Sequence, residues 1–214
     1  MSHVRFDPSK AVTFDLSHGL VHLEGAPLRL LVPADALGAL AAAAGAEATR
    51  AFGRALGEAL GRRAASRLAA PASADAVIEH LGGEMALAGL GSLSLERWGR
   101  ALVVVIDESP LAAAGDGLLE AVLAGAFGAA SGKVVHIIFL EKAAARARFL
   151  MTGSGGVEKV RTWLAEGLSW GDALIRLHAG AGGLAKEPVD ASDAGAPPQE
   201  AATMEPTDTP RGDA

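Results

Sequence analysis

The chain begins with short apolar segments separated by turn-forming residues, a pattern that predicts β-strands. We expect strands at Val12–Asp15, 19–24 and 28–32, with glycine-containing turns between them. Pro33 would end the third strand, since proline has no backbone N–H to donate to a sheet. Asp35 can then cap the helix that follows.

Residues 35–69 predict one long helical region. Alanine is dense there, and Phe52, Leu56 and Leu60 recur at every fourth position. That spacing places the three side chains on one face of a helix. Gly45 predicts a kink or a break between two helices.

The rest of the chain predicts a short helix capped by Ser73 or Asp75, then hairpins and further helices. They are a hairpin of 93–98 and 101–106, a helix at 116–130, a second hairpin of 134–140 and 147–152, and two helices that Ser154 and Ser169 begin. The apolar run 102–106 does not alternate, which predicts a strand covered on both faces. Neighbouring strands favour antiparallel pairing, so the fold class is α+β, a mostly antiparallel sheet with helices packed on it.

Charge is concentrated at the C-terminus. Residues 186–214 carry seven acids and two bases, which account for five of the six net negative charges of the 214-residue chain. We therefore expect one domain, 1–183, and a disordered acidic Pro/Ala-rich tail, 184–214. A nearly neutral body with no Lys/Arg block argues against nucleic acid as a partner.

The residue inventory excludes several kinds of site. The chain has no cysteine, so disulfides, thiolate zinc sites and a cysteine nucleophile are excluded. The charged N-terminus predicts no signal peptide, and no apolar run is long enough for a membrane span. These features favour a soluble cytoplasmic protein.

Candidate catalytic and metal-binding groups are sparse. His18 and His22 lie about 13 Å apart on a strand, too far to share a metal ion. Asp107 and Glu108 are adjacent, so on a strand they point to opposite faces and make a poor acid/base pair. The glycine-rich turn 152–156 lacks the lysine of a phosphate-binding loop. We expect no catalytic residue, no metal and no cofactor.

Three glycines repeat at helical spacing inside the long helix. Gly53, Gly57 and Gly61 each follow one of the apolar positions. Each glycine inside a helix costs up to about 1 kcal/mol relative to alanine, so something must approach that face closely. Packing of another helix, a dimer seam and the wall of a ligand pocket all fit this pattern.

Several segments together resemble the 4-vinyl reductase domain family. They are GLVHLEGAPLRLLV (19–32), the glycine-bearing helix, DESPL (107–111), LLEAVLAGAFGAASGKVV (118–135) and the following strand to Glu141. This hydrocarbon-binding family is related to the sensory domains of phenol- and xylene-responsive regulators, and distantly to TRAPP subunits. The resemblance implies a TRAPP-like/NO-signalling ligand-binding fold and a homodimer.

The sequence departs from the family where many members hold zinc. Residues 141–149 contain no cysteine, so neither a metal nor reductase chemistry carries over. What the resemblance still implies is an apolar cavity lined by six side chains, with His136 as a polar contact. The six are Phe52, Leu56, Trp98, Phe127, Ile138 and Phe149.

The expected function is therefore non-enzymatic binding of a small hydrophobic molecule by a sensor or carrier that signals to a partner protein. A TRAPP-like scaffold and a tetrapyrrole-processing enzyme are the alternatives. Residues 157–180 predict an amphipathic pair of helices that packs on the domain or presents a surface to a partner. The tail is a second candidate partner-binding segment.

Overall fold

The computed structural model of the protein describes residues 12–23, 31–68, 73–113 and 116–182. The chain divides into two compact units, Met1–Ala181 and residues 182–214. The acidic tail predicted at 184–214 lies outside the described residues, as do residues 28–30 of the third predicted strand. Leu31 and Val32, which are described, form no strand.

The described elements confirm an α+β fold. In chain order they are β1 (Val12–Asp15), β2 (Leu20–Leu23), α1 (Ala34–Ser66), α2 (Ala74–Leu87), β3 (Ser92–Trp98), β4 (Ala101–Asp107), α3 (Asp116–Ser131), β5 (His136–Ala143), β6 (Arg146–Thr152), α4 (Ser154–Ala165) and α5 (Trp170–Gly182). β1 and β2 form a separate hairpin, and the other strands form an antiparallel sheet in the order β3-β4-β6-β5.

The four-stranded sheet separates two apolar cores. Val104 and Ile106 of β4 belong to a core shared with α1, α2 and α3. Val103 and Val105, the alternate residues of the same strand, belong to a core shared with α4 and α5. Each face of the sheet is thus covered by helices, which explains why the sequence of β4 does not alternate. We call the two regions the α1–α3 core and the α4–α5 core.

The glycine face of α1 packs directly on α3. Gly53, Gly57 and Gly61 are all buried. A Cβ atom added at Gly57 would overlap the backbone carbonyl of Val122, and one added at Gly61 would overlap that of Ala126. The absence of side chains therefore brings the two helices into backbone contact. Helix packing within the chain accounts for the repeat, and α3 already occupies the face that a dimer seam would use.

Gly45 kinks α1, as its sequence predicts. Its φ of 80° and ψ of 170° are not helical, and glycine adopts that conformation without the strain of a side chain. The hydroxyl of Thr49 lies 2.8 Å from the carbonyl oxygen of Gly45 and 2.9 Å from that of Ala41, and its one proton is shared between these two acceptors. Thr49 thereby satisfies carbonyl groups near the break in the helix.

The predicted helix caps are confirmed at two of the three serines. Ser73 and Ser169 each accept a hydrogen bond from the backbone N–H three residues later, at 3.2 and 3.1 Å. Ser154 is not a cap, because α4 begins after Gly153 and no side chain caps it. Gly153 has an extended backbone conformation, so the helix begins one residue earlier than the serine pattern predicts.

Candidate functional site

A small apolar cavity lies beneath the β1–β2 hairpin. Its volume is about 200 Å³, and its walls come from the hairpin, α1 and α2. We call it the hairpin cavity. It is lined by Val12, Val21, Leu23, Leu31, Leu56, Leu60, Leu87 and Ala88, together with one charged residue, Glu84.

The sequence places apolar side chains on the inner face of the hairpin. Val12 pairs directly with Leu23, so the two side chains share one face of the ribbon. Val21 lies two residues before Leu23 and therefore points to the same face. Leu56 and Leu60 are one turn apart on α1 and form the opposite wall.

Glu84 carries a buried negative charge at the wall of the cavity. The residue is 1% exposed. Its carboxylate accepts a hydrogen bond from Nε of Arg63 at 2.7 Å and forms an ion pair with Nη1 of Arg67 at 3.1 Å. Two guanidinium groups offset the cost of removing the carboxylate from water. The cluster also ties the last turns of α1 to α2.

His80 is a second buried polar residue of α2. It lies one turn before Glu84, so the two side chains share one face of the helix. The ring is 7% exposed, and Nδ1 has no hydrogen-bond partner within the described residues. Buried polar atoms nearly always have a partner. His80 is not among the residues that line the hairpin cavity.

The predicted ligand-lining residues do not share one cavity. Phe127 and Phe149 are buried in the α1–α3 core, whereas Ile138 is buried in the α4–α5 core. The sheet lies between these cores, so no single space reaches all three side chains. Of the seven predicted residues, Leu56 lines the hairpin cavity.

The remaining predicted contacts lie at the surface. Phe52 is 46% exposed on α1, and Trp98 is 44% exposed at the β3–β4 turn. The ring of Trp98 packs edge-on against Trp170 of α5, with 4.8 Å between the ring centroids. His136 lines a separate, wider groove between α1 and the start of β5. The structure thus places these residues in several regions, and their role in ligand binding stays a prediction.

The acidic pair at the end of β4 has a structural role. Asp107 accepts a hydrogen bond from Nε of Arg146 at 2.7 Å, and this contact raises the pKa of Arg146. Glu108 is exposed and has a left-handed backbone conformation, with φ of 57°. Asp107 is thus held by an arginine on β6 and does not face Glu108 as an acid/base partner.

The described ranges contain neither a cluster of metal-ligand side chains nor a membrane-spanning helix. Within residues 12–23, 31–68, 73–113 and 116–182, no three His, Asp or Glu side chains come close enough together to hold a metal ion. None of the helices in these ranges is both long and apolar enough to cross a bilayer.

The fold is similar to that of a known sensory domain. No model of a protein family matches the sequence, and no curated protein matches it. Among solved structures, the phenol-responsive sensory domain of the transcription activator PoxR, in complex with phenol, matches with a TM-score of 0.53 and 16% sequence identity. The match covers 67% of this chain and 85% of that domain. At this level of identity the likeness concerns the fold alone.

Proposed function

We propose that this chain binds a small apolar molecule in the hairpin cavity, as a non-enzymatic sensor or carrier module related to the 4-vinyl reductase domain family. The observation that carries the proposal is an apolar cavity of about 200 Å³ bounded by three separate elements. Similarity to the fold of a phenol-responsive sensory domain supports it.

The size of the cavity limits the guest to a compact molecule. An apolar protein cavity of about 150 Å³ is known to accept benzene. A space of about 200 Å³ therefore suits one aromatic ring with a small substituent. Such a guest gains roughly 25 cal/mol for each Å² of apolar surface that leaves water.

Apolar contact supplies most of the expected affinity. Both oxygens of Glu84 already have arginine partners, so that carboxylate is largely satisfied within the protein. Exclusion of its apolar surface from water would therefore hold the ring in the cavity.

Filling the cavity tests the proposal. We expect toluene and phenol to give saturation-transfer NMR signals with the wild-type chain. Leu56→Trp should abolish these signals, because the indole occupies the guest's space. Val21→Phe narrows the same cavity from the hairpin side and should also abolish the signals. The conclusion then does not depend on the correct folding of a single variant.

Leu164→Trp is the matched control. Leu164 is a half-buried leucine of the α4–α5 core, on the other face of the sheet. This variant should bind both probes like the wild type. Absence of probe binding to the wild type, or unchanged binding to Leu56→Trp, would contradict the proposal.

A scaffold role is the second candidate function. Leu40 and Phe52 of α1 are 64% and 46% exposed, so this helix presents apolar surface to solvent. Exposed apolar patches mark interaction sites in many proteins. Two results together would favour a scaffold. Native mass spectrometry of protein from its own host would show no bound small molecule, and the chain would co-purify with a partner protein that no longer binds the Phe52→Ser variant.

A further inference from the structure

A wide groove with charged edges runs between α1 and the start of β5, and we call it the α1–β5 groove. Its volume is about 530 Å³. Small residues of α3 form its floor. At Gly125 the backbone of α1 comes so close that an added Cβ would overlap the carbonyl of Arg54. The complete lining is Arg54, Glu58 and Arg62 of α1, Ala124, Gly125, Gly128 and Ala129 of α3, and Lys133, Val134, Val135 and His136 beside β5.

The groove is positive although the chain as a whole is negative. Its lining contains Arg54, Arg62 and Lys133 against one acid, Glu58, while the net charge of the chain is -6. Glu58 pairs with Arg62 at 3.4 Å, but both side chains are largely exposed, so water screens the pair. The side chains of Arg54 and Lys133 have neither an ion pair nor a hydrogen bond to any described residue.

The positive charges are spread along the groove. Arg54 and Arg62 are eight residues apart on α1, which places them about 12 Å apart along the helix axis. Lys133 lies on the opposite wall. One phosphate or carboxylate could reach one or two of these groups at a time, so the arrangement fits an elongated ligand with several negative charges.

The chemistry of the lining favours peptide over nucleic acid. Nucleic-acid bases stack on aromatic side chains, and His136 is the one aromatic ring among the residues that line the groove, too few for successive bases. The floor of Ala and Gly suits small apolar side chains between acidic ones. We propose that the α1–β5 groove binds an acidic segment of a partner protein, with glutamate or aspartate paired to Arg54 and Lys133. This inference is independent of the hairpin cavity.

Charge reversal in the groove tests this inference. The probe is a fluorescein-labelled peptide of alternating glutamate and alanine, about six residues long, since about four residues at about 3.3 Å each span the roughly 12 Å between Arg54 and Arg62. We expect its fluorescence anisotropy to rise on titration with the full chain, and the binding to weaken as salt is added. Arg54→Glu/Lys133→Glu should weaken binding about ten-fold or more, because attraction becomes repulsion.

Arg97→Glu/Arg100→Glu is the matched control. Both residues are exposed, lie on the β3–β4 hairpin at the far edge of the sheet from β5, and give the same change in net charge. This variant should bind the peptide within about two-fold of the wild type, since distant exposed charges are screened. Equal loss in both double variants would show non-specific attraction and overturn the proposal. The proposal would also be overturned if the wild type did not bind the peptide. The same holds if oligo-dT bound the wild type as tightly as the peptide does and lost that affinity in Arg54→Glu/Lys133→Glu.

Discussion

Four hydrogen bonds hold the carboxylate of Asp15 in the turn between β1 and β2. They come from the backbone N–H groups and the side chains of Ser17 and His18, at 2.6 to 3.2 Å. The hydroxyl of Ser17 is the largest cause of the lowered pKa of Asp15, and His18 adds to it. At the scale of single residues, this turn fixes the hairpin that covers the candidate ligand cavity.

We predict that Ser17→Ala raises the pKa of Asp15 toward its ordinary value of 3.8. The pKa in the folded chain lies below that of the unfolded chain, so the ionised carboxylate stabilises the turn at neutral pH. That contribution is lost as the pH falls through the lowered pKa. A carboxyl-carbon NMR titration would measure the midpoint, with Ser154→Ala as a control. An unchanged midpoint in Ser17→Ala would refute the assignment of the hydroxyl as the main cause.

The sequence predicts local contacts of residues better than distant ones. Ser73 and Ser169 are recognised as caps because each bonds to an N–H three residues away. Glu84 and His80 are missed. The arginine that holds Glu84 lies 21 residues earlier, and the burial of His80 depends on how the helices pack. The one local signal that could have indicated a buried charge is that Glu84 is the single charged residue of the segment 81–87.

At the scale of elements, the contact between α1 and α3 depends on glycine. We predict that Gly57→Ala destabilises the fold by about 1–3 kcal/mol, because the new methyl group forces the helix backbones apart. Urea unfolding would measure the change. Gly155→Ala in α4 is the control, since a Cβ there meets nothing within 4 Å, and it should be neutral or slightly stabilising. Equal stability of Gly57→Ala and the wild type would contradict the backbone contact.

Most elements follow from hydrophobic period and turn residues, but their arrangement does not. The β3–β4 and β5–β6 hairpins are adjacent in sequence and are predicted correctly. The pairing of β4 with β6 brings together Ile106 and Ala147, which are far apart along the chain. This long-range pairing sets the strand order and divides the interior into two cores. The predicted ligand residues were assigned to one cavity because that division is invisible to local patterns.

At the scale of the whole molecule, the buried residues of both cores lie between Leu60 and Leu174. We predict that removal of residues 184–214 leaves the melting temperature unchanged and makes the protein less acidic. A shorter chain that ends before Trp170 is the contrast, because it loses Ala173 and Leu174, which are 0% and 3% exposed. It should melt several degrees lower. A large drop on removing 184–214 alone would show that the domain boundary is misplaced.

The homodimer remains a prediction, and its interface must lie elsewhere than on the glycine face of α1. Because α3 fills the glycine face of α1, a bulky residue at Gly57 would test folding rather than association. The exposed apolar side chains of α1, such as Leu40 and Phe52, are the alternative to examine.

The backbone contact of α1 with α3 also decides how a guest could enter. At the three glycines the two helix backbones touch, so an opening between the helices there would break close packing along the interface. The β1–β2 ribbon has just four residues in each strand and rests on α1 and α2 as a lid of few contacts. If the hairpin cavity holds a guest as proposed, the guest should therefore enter and leave by lifting of this ribbon rather than by separation of α1 from α3.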